Sequence, residues 1–449
     1  MRVRTIALAF AGAVALVVGI PLSGEVGLGD ASRAASLDPP ASIDLFYTPP
    51  GLVRAGSTVR VSVDAICTTT GGSQCPVDVT LGTQVGAEPW ETVTRSAESG
   101  AEFDVTDAAA RAGGNGAGMV RFFLRAHTGT ELATSAGNPR APLKFWVVPE
   151  MQKIQIPAIP FGQVRKPTNV LFLPWGAGRT KAGLSPGRES LTGGPSSFDV
   201  DDRGRIHLLD TEQDRLAVFS EGELIREVRL ALDSDADVSV AADGTAYVLE
   251  VRDDIAEVRA VSSSGTVQPA QPLGEALSAH VRTVGAKAYA NLLPADAWVR
   301  VPEAGMIPTA AIPSDTFTGI PISGDAKLVR IATDRSIRLA TVSGDEVSNA
   351  VEVQSDTPLG EVALAEPDGN GGYWCVVRVW RENPAPADQY HVLHISGEEI
   401  VESFAVSSEQ FADTPPLSRF RLANGGNLYQ LTTSPSGVRI VRFELGGRS

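Results

Sequence analysis

Few residues in this chain are of the kinds that do chemistry, and their spacing decides against most of them. The five histidines are His127, His207, His280, His391 and His394. His391 and His394 stand three apart on an expected strand, so they face opposite ways and cannot share a metal ion. His207 faces opposite to Ile206 and Leu208 and reads as a structural or surface residue. Gly183-Leu184-Ser185-Pro186-Gly187 has the form G-x-S-x-G, but a nucleophile elbow needs a strand before it and a helix after it. This one sits in a Gly/Pro-rich stretch with proline directly after the serine. Asp199, Asp201, Gly204 and Asp210 fall on positions 1, 3, 6 and 12 of a calcium-loop pattern. Arg203 stands at position 5, and Asp210 replaces the glutamate that would give two oxygens. The stretch is strand-like, so Asp202-Arg203-Gly204 is better read as a hairpin turn. No catalytic residue, metal ligand set or cofactor is assigned from spacing.

Cysteine usage is sparse. Cys67 and Cys75 flank the loop TTTGGSQ and, in an exported chain, are expected to form a disulfide. A metal reading would need two more ligands nearby, and no histidine is close. Cys375, inside GYWCVVRVW, reads as an inert thiol in a buried strand.

The N-terminus has the form of a signal peptide over residues 1–35. Arg2 and Arg4 precede an uncharged run from Ile6 to Ile20, and Ser32-Arg33-Ala34 offers a cleavage site. The run is short for a spanning helix; an uncleaved membrane anchor is the other reading. The protein is therefore expected to be secreted or held at the cell surface. Its formal charge of −15, with no basic patch among aromatics, argues against general nucleic-acid binding.

The elements that must position any site are strands. In SFDVDDRGRIHLLDTEQDRLAVFSEGELI (197–225) apolar and polar residues alternate with period two, broken by Gly turns. Four such strands make a blade that cannot bury its faces alone. The expected architecture is all-β, in four parts after the signal. A linker (36–40) leads to an Ig-like β-sandwich (41–149) with seven short strands. A second linker or docking segment (150–166) leads to a β-propeller (167–447). Six blades are counted if Asn169–Leu173 returns to complete the last one and close the ring. The Pro-rich stretch 302–324 reads as an insertion in the third blade, and the fourth blade is expected from Lys327.

The segment 197–225 resembles the NHL repeat: strand, polar-Gly turn, strand ending in Asp210, polar loop, Arg215, then an apolar strand reaching Phe219. NHL repeats build six-bladed propellers, so the resemblance implies that fold and leaves activity open. It covers about 29 residues; the other blades share the turns but lack the Asp–Arg pairing.

Binding is expected at the loops between second and third strands, which gather at one end of the channel. The candidates are Asp210, Asp214 and Arg215, then Asp253 and Asp254, the loop 294–296 with Trp298 beside it, and Trp380, Arg381 and Asp388. Trp298 and Trp380 are the candidate anchors. These features point to an exported, non-catalytic binding protein whose partner is a protein or glycan at the cell surface. The alternative is a lactonase-like propeller, since the gluconolactonase family holds a divalent metal in the central channel. Where that family tends to show Glu-Gly-Pro, this chain has Gly194-Pro195-Ser196.

Overall fold

The computed structural model describes residues 40–446 apart from 98–99, 115, 130–131, 141, 186–191, 234–235, 276–277, 294–296, 303–318, 325, 413–415 and 424–425. The signal segment, most of the first linker, Pro186, Gly187 and the loop 294–296 thus lie outside the described residues. Among the described residues no helix is long and apolar enough to cross a membrane.

Residues 40–148 form two sheets face to face. The smaller is built on Arg60–Thr69, flanked by Pro40–Thr48, Gln74–Cys75 and Ala101–Asp104. The larger runs Leu52–Arg54, Leu143–Val148, Gly118–Thr128, Asp78–Val85, Glu91–Ser96, with Leu132–Ala136 also paired to Gly118–Thr128. Strict alternation along Arg60–Thr69 turns Val61, Val63, Ala65 and Cys67 inward. They meet Val79, Leu81, Phe122, Leu124 and Phe145 from the other sheet in one core. The short helix Thr106–Gly113 adds Ala108 and Ala109 to it. Cys67 and Cys75 are cross-strand partners and form the expected disulfide, Cα–Cα 5.1 Å.

The larger sheet does not end in solvent on its outer side. Leu52, Met119, Trp146 and Val148 pack against Val329, Ala340 and Val342. The next stretch, expected as a linker or docking segment, lies against the following sheets as a strap. Gln152–Gln155 pairs in parallel with 351–354 and becomes the fifth strand of that sheet. Ile154 and Ile156 sink into the core beneath. Further on, the Arg165 amide donates to the Ala405 carbonyl at 2.8 Å, and its guanidinium pairs with Glu402 at 2.8 Å while lying over the Phe404 ring.

Beyond the strap lie six sheets among the described residues. Taken in chain order, the first holds Ser197–Val200, Ile206–Asp210, Arg215–Ser220 and Glu223–Arg229. The second holds Asp237–Val240, Ala246–Arg252, Ile255–Val261 and Gln271–Glu275. The third shows Ser278–Val284, Lys287–Leu293 and Ala297–Arg300. The fourth holds Ile320–Ser323, Ala326–Ala332, Ser336–Ser343 and Glu346–Gln354, and the fifth Leu359–Pro367, Tyr373–Arg381, Ala387–Ser396 and Glu399–Val406. The sixth holds Phe420–Ala423, Asn427–Ser434 and Gly437–Glu444. All these strands are antiparallel to their neighbours; the leading strands of the first to fourth sheets lie side by side in turn, as do those of the fifth and sixth, and Ala326–Ala332 of the fourth meets Leu359–Pro367 of the fifth. The first strand of the sixth sheet meets that of the first, with a bridge between Ser197 and Ser418. This is a propeller-like arrangement about one axis.

The outermost strand of the sixth sheet comes from the other end of the chain. Thr168–Pro174 pairs antiparallel with Gly437–Glu444, which places NVLFL where closure requires it. One expectation fails: Ile320–Ser323, expected within an insertion, is the innermost strand of the fourth sheet. Pro321 disguises it, yet an innermost strand pairs on one side only, so a missing N–H is tolerated there.

The closing strand yields a clear expectation. Leu173 is 3% exposed while Phe172 is 40% exposed. Leu173→Ala should destabilise the protein by about 3 kcal/mol, and Phe172→Ala by less than about 1 kcal/mol, in urea unfolding followed by tryptophan fluorescence. Equal effects would mean that the strand does not close the ring in this register.

Candidate functional site

The first strand of each sheet presents alternate residues to the axis, and several of those residues are polar. Ser197 and Asp199, Asp237 and Ser239, His280 and Arg282, and Arg421 come from four different sheets. Buried polar groups must be satisfied, and here they satisfy one another across sheet boundaries.

Asp237, 1% exposed, is the hub. Its Oδ1 accepts from Ser197 Oγ at 2.5 Å, Ser418 Oγ at 2.8 Å and Arg421 Nη2 at 3.2 Å. Its Oδ2 accepts from the Val281 amide at 3.1 Å, with His280 Nδ1 3.6 Å away. One carboxylate thereby touches the first, third and sixth sheets from the second. Burial alone would raise its pKa, but the Arg421 guanidinium, His280 and the Ser197 hydroxyl outweigh burial and hold the carboxyl well below the usual range.

Two arginines act as crossbars. From the sixth sheet, Arg421 donates Nε to the Phe198 carbonyl of the first sheet at 2.9 Å and Nη2 to the Val238 carbonyl of the second at 2.7 Å. From the third sheet, Arg282 donates Nε to the Pro321 carbonyl of the fourth at 2.7 Å. It ends in a bidentate pair with Glu366 of the fifth. Each guanidinium therefore bridges three consecutive sheets, which suits its rigid fork of donors. Asp199 Oδ2 and the Ser239–Thr283 pair add links between neighbours.

Above the crossbars a cavity of about 560 Å³ opens at the ends of the first strands. Asp199, Asp202, Arg282, Glu366, Asp368 and Arg421 supply its charges, with Ala242 and Trp374 among its walls. Asp368 is itself held by His394 Nε2 at 2.9 Å and by the amides of Asn370 and Gly372. His394 stacks on Trp374, ring centroids 4.1 Å apart. The mouth is a polar concavity whose charged groups already have partners, and it can hold a ligand by hydrogen bonds without offering a primed nucleophile.

The loops singled out from the sequence lie at the opposite end from this cavity. Antiparallel strands put first-to-second turns and second-to-third loops at opposite ends of each sheet, and the cavity is at the former. Among the expected loop residues, Asp210 and Arg215 are both fully buried. Arg215 donates Nε and Nη2 to Asp210 Oδ2 at 3.1 and 3.0 Å, and its Nη1 reaches the Arg179 carbonyl. The pair pins the returning segment 179–183, so neither residue can meet a partner. Gly183 seats its amide on Asp210, where a Cβ would lie 2.4 Å from that of Glu212. Asp214 adopts a left-handed turn and accepts the Leu232 amide. Asp253 and Asp254 form an exposed hairpin turn, both with positive φ. Trp298 is 8% exposed and offers little of its ring to a partner. Trp380 is 38% exposed; beside it Arg381 lies over the Phe161 ring, and Asp388 pairs with Arg378 at 2.7 Å. These three share one hairpin, away from the cavity.

The carboxylates of the calcium-like pattern diverge. Asp199 receives the Val240 amide, Asp210 holds Arg215, and Asp201 binds Arg205 Nε at 2.7 Å and His207 Nε2 at 3.2 Å. Among the described residues no group of His, Cys, Asp and Glu gathers as a metal site. Sequence reasoning missed Asp237, Arg282, Glu366 and Arg421. The available signal was the polar parity of the leading strands, in DVSV (237–240) and HVRTV (280–284).

No family model matches the chain, and no curated protein sequence does either. Among solved structures, virginiamycin B lyase from Staphylococcus aureus aligns at 8% identity and TM-score 0.35, over 59% of this chain and 99% of that one. A streptogramin B lyase aligns at 10% and 0.33, over 59% and 97%. A putative gluconolactonase aligns at 13% and 0.25, over 65% and 96%. At such scores the likenesses carry no argument about this chain's chemistry; the ring of sheets rests on its own strand pairing.

Two buried groups, Asp237 at the hub and His391 in the fifth sheet, make stability depend on pH in two separate windows. Asp237 has a lowered folded pKa, so its contribution is complete above the unfolded value near 4 and is lost as pH falls through and below it. Asp237→Asn should destabilise the protein by about 3 kcal/mol at pH 7 and flatten the acid limb of a stability–pH curve. Burial also lowers the His391 pKa to about 4. It is neutral in both states above the unfolded value near 6.5, so stability falls as pH drops from there to about 4. His391→Gln should remove that slope in urea midpoints measured from pH 4 to 8, while an unchanged slope would exclude His391 as its source.

Proposed function

We propose that this is an exported, non-catalytic binding protein of the cell surface, with an Ig-like sandwich leading into a six-bladed, NHL-like propeller whose polar mouth holds a glycan. The observation that carries this reading is the state of the mouth's charges. Arg282 with Glu366, Arg421 with Asp237, and Asp368 with His394 are already joined. Acid–base or nucleophilic catalysis needs a group poised to exchange a proton or attack, within reach of an orienting partner. Here the paired groups hold the ring together and leave a hydrogen-bonding surface above it. A channel metal of the lactonase kind would meet two fixed guanidinium charges on the axis, at short range and low dielectric.

Export is supported by the signal-like N-terminal sequence and by the disulfide between Cys67 and Cys75. Six blades are supported by the six sheets and by the strand returned to the last of them. The Ig-like assignment is supported by the two facing sheets with a shared core. The exposed Trp380 hairpin, with Arg381 and Asp388, is a second contact surface at the other end, suited to a protein neighbour.

Ala242 is exposed at the mouth and outside the charge network. Ala242→Trp should fill the entrance without unfolding the protein and weaken capture at least tenfold for at least one saccharide the protein retains on a glycan array. The same preparations, assayed with γ- and δ-lactones and added Ca²⁺ or Zn²⁺, should show no turnover that a chelator abolishes. Chelator-sensitive turnover, or an array on which no saccharide is retained, would overturn the proposal.

A further inference from the structure

The outer face of the larger N-terminal sheet is covered on one half only. Met119, Trp146 and Val148 are buried against the fourth ring sheet. On the other half the strands Gly118–Thr128, Asp78–Val85 and Glu91–Ser96 turn Arg121, Phe123 and Arg125 outward, beside Thr80 and Thr94. Phe123 lies flat across Gly82, its cross-strand partner; a Cβ on Gly82 would stand 2.1 Å from the Phe123 ring. Only glycine lets the ring lie down on the sheet. Trp90 meets the Phe123 ring edge-on at 5.1 Å and fixes its tilt.

The ring lies at a break in pairing. Gly118–Thr128 pairs with Leu143–Val148 up to Phe122 and with Leu132–Ala136 from Leu124 onward. The chain that leaves one strand for the other, through Gly137, Asn138 and Pro139, walls a groove of about 360 Å³ over Phe123. Arg125, Thr134 and Ser135 complete the lining. Arg125 is exposed and makes no hydrogen bond or ion pair among the described residues. No carboxylate lines the groove; Asp78, on the same face, stands at its far end opposite His127.

We propose that this groove is a second binding site, independent of the propeller mouth, for an acidic saccharide chain bearing uronate groups. A flat aromatic floor accepts the C–H face of a pyranose ring. The guanidinium of Arg125 matches a carboxylate with two parallel hydrogen bonds, and the hydroxyls of Thr134 and Ser135 serve those of the sugar. Charge decides for an acidic chain over a neutral one. The protein carries −15 overall, yet the charge in this groove is a cation. A polyanion therefore finds attraction here that the rest of the surface denies it. Two sites on one chain would also raise avidity for a long glycan.

The test is calorimetric titration of the full exported chain with hexagalacturonate, and with cellohexaose as the neutral counterpart. Hexagalacturonate should bind, and cellohexaose at least tenfold more weakly. Binding should weaken between 50 and 300 mM salt. Phe123→Ala and Arg125→Glu should each reduce affinity at least tenfold, and Ala242→Trp should leave it unchanged. Arg125→Glu, at an exposed position, carries the test alone if Phe123→Ala does not fold. Absence of binding by both hexasaccharides overturns the proposal, as does binding indifferent to Phe123→Ala and Arg125→Glu. Loss in Ala242→Trp with retention in Arg125→Glu would move the saccharide to the propeller mouth and end the case for the groove.

Discussion

A closed ring of sheets must face its innermost strands toward a common axis, and what those strands carry has to be satisfied there. In this protein the axis is crossed by two guanidinium groups and anchored by one buried carboxylate. Arg421 joins the sixth, first and second sheets; Arg282 joins the third, fourth and fifth. Asp237 ties the two halves, since it accepts from Ser418, Ser197 and Arg421 on one side and from the Val281 amide on the other. Apolar packing between the sheets supplies the bulk of the stabilisation, but it is non-directional. Rigid donors of fixed geometry give the ring one registration of its sheets. Removing one partner would leave a buried charge unmatched, so the network acts as a unit.

The outside of the ring is secured by different means. The sixth sheet borrows its outer strand from residues 168–174, so both ends of the ring segment meet in one ladder. The strap before it adds a strand to the fourth sheet and clamps the fifth through Arg165, Glu402 and Phe404. An exposed edge that could recruit another chain is thereby occupied by this one. The strap also fixes the N-terminal sandwich, whose Trp146 is buried against the same fourth sheet. The sandwich is thus packed against the ring, with the Phe123 half of its outer face left uncovered.

These constraints shape what the mouth can do. Charges engaged in holding the ring are poor candidates for reaction, since any proton or metal taken up would compete with the fold. They can still order a ligand in the concavity above them, where carboxylate and guanidinium edges and strand-end backbone groups are on offer. On the proposed reading, recognition and stability would draw on the same residues without conflict.

The sequence by itself determined the all-β class, seven of the ten described strands of the sandwich, the disulfide, the Gly turns and the return of Asn169–Leu173. Each is local, or follows from period-two alternation and the need to cover edges. It also marked Asp210 and Arg215 as a pair, though it read them as a loop on offer to a partner. Alternation says that one side of a strand is polar; it does not say whether that side faces water or an axis. In SFDV, DVSV and HVRTV the polar side faces the axis, which alternation alone could not say, so Asp237 and Arg282 went unmarked. Pro321 hid the leading strand of the fourth sheet, because a proline is a strand breaker until one knows that the strand pairs on one side only. Which end of the ring opens into a cavity, and which side chains from distant sheets meet across it, was decided by tertiary structure alone. Arg421 lies 184 residues from Asp237 and Arg282 lies 84 from Glu366, and only closure of the ring brings such groups within a hydrogen bond of each other.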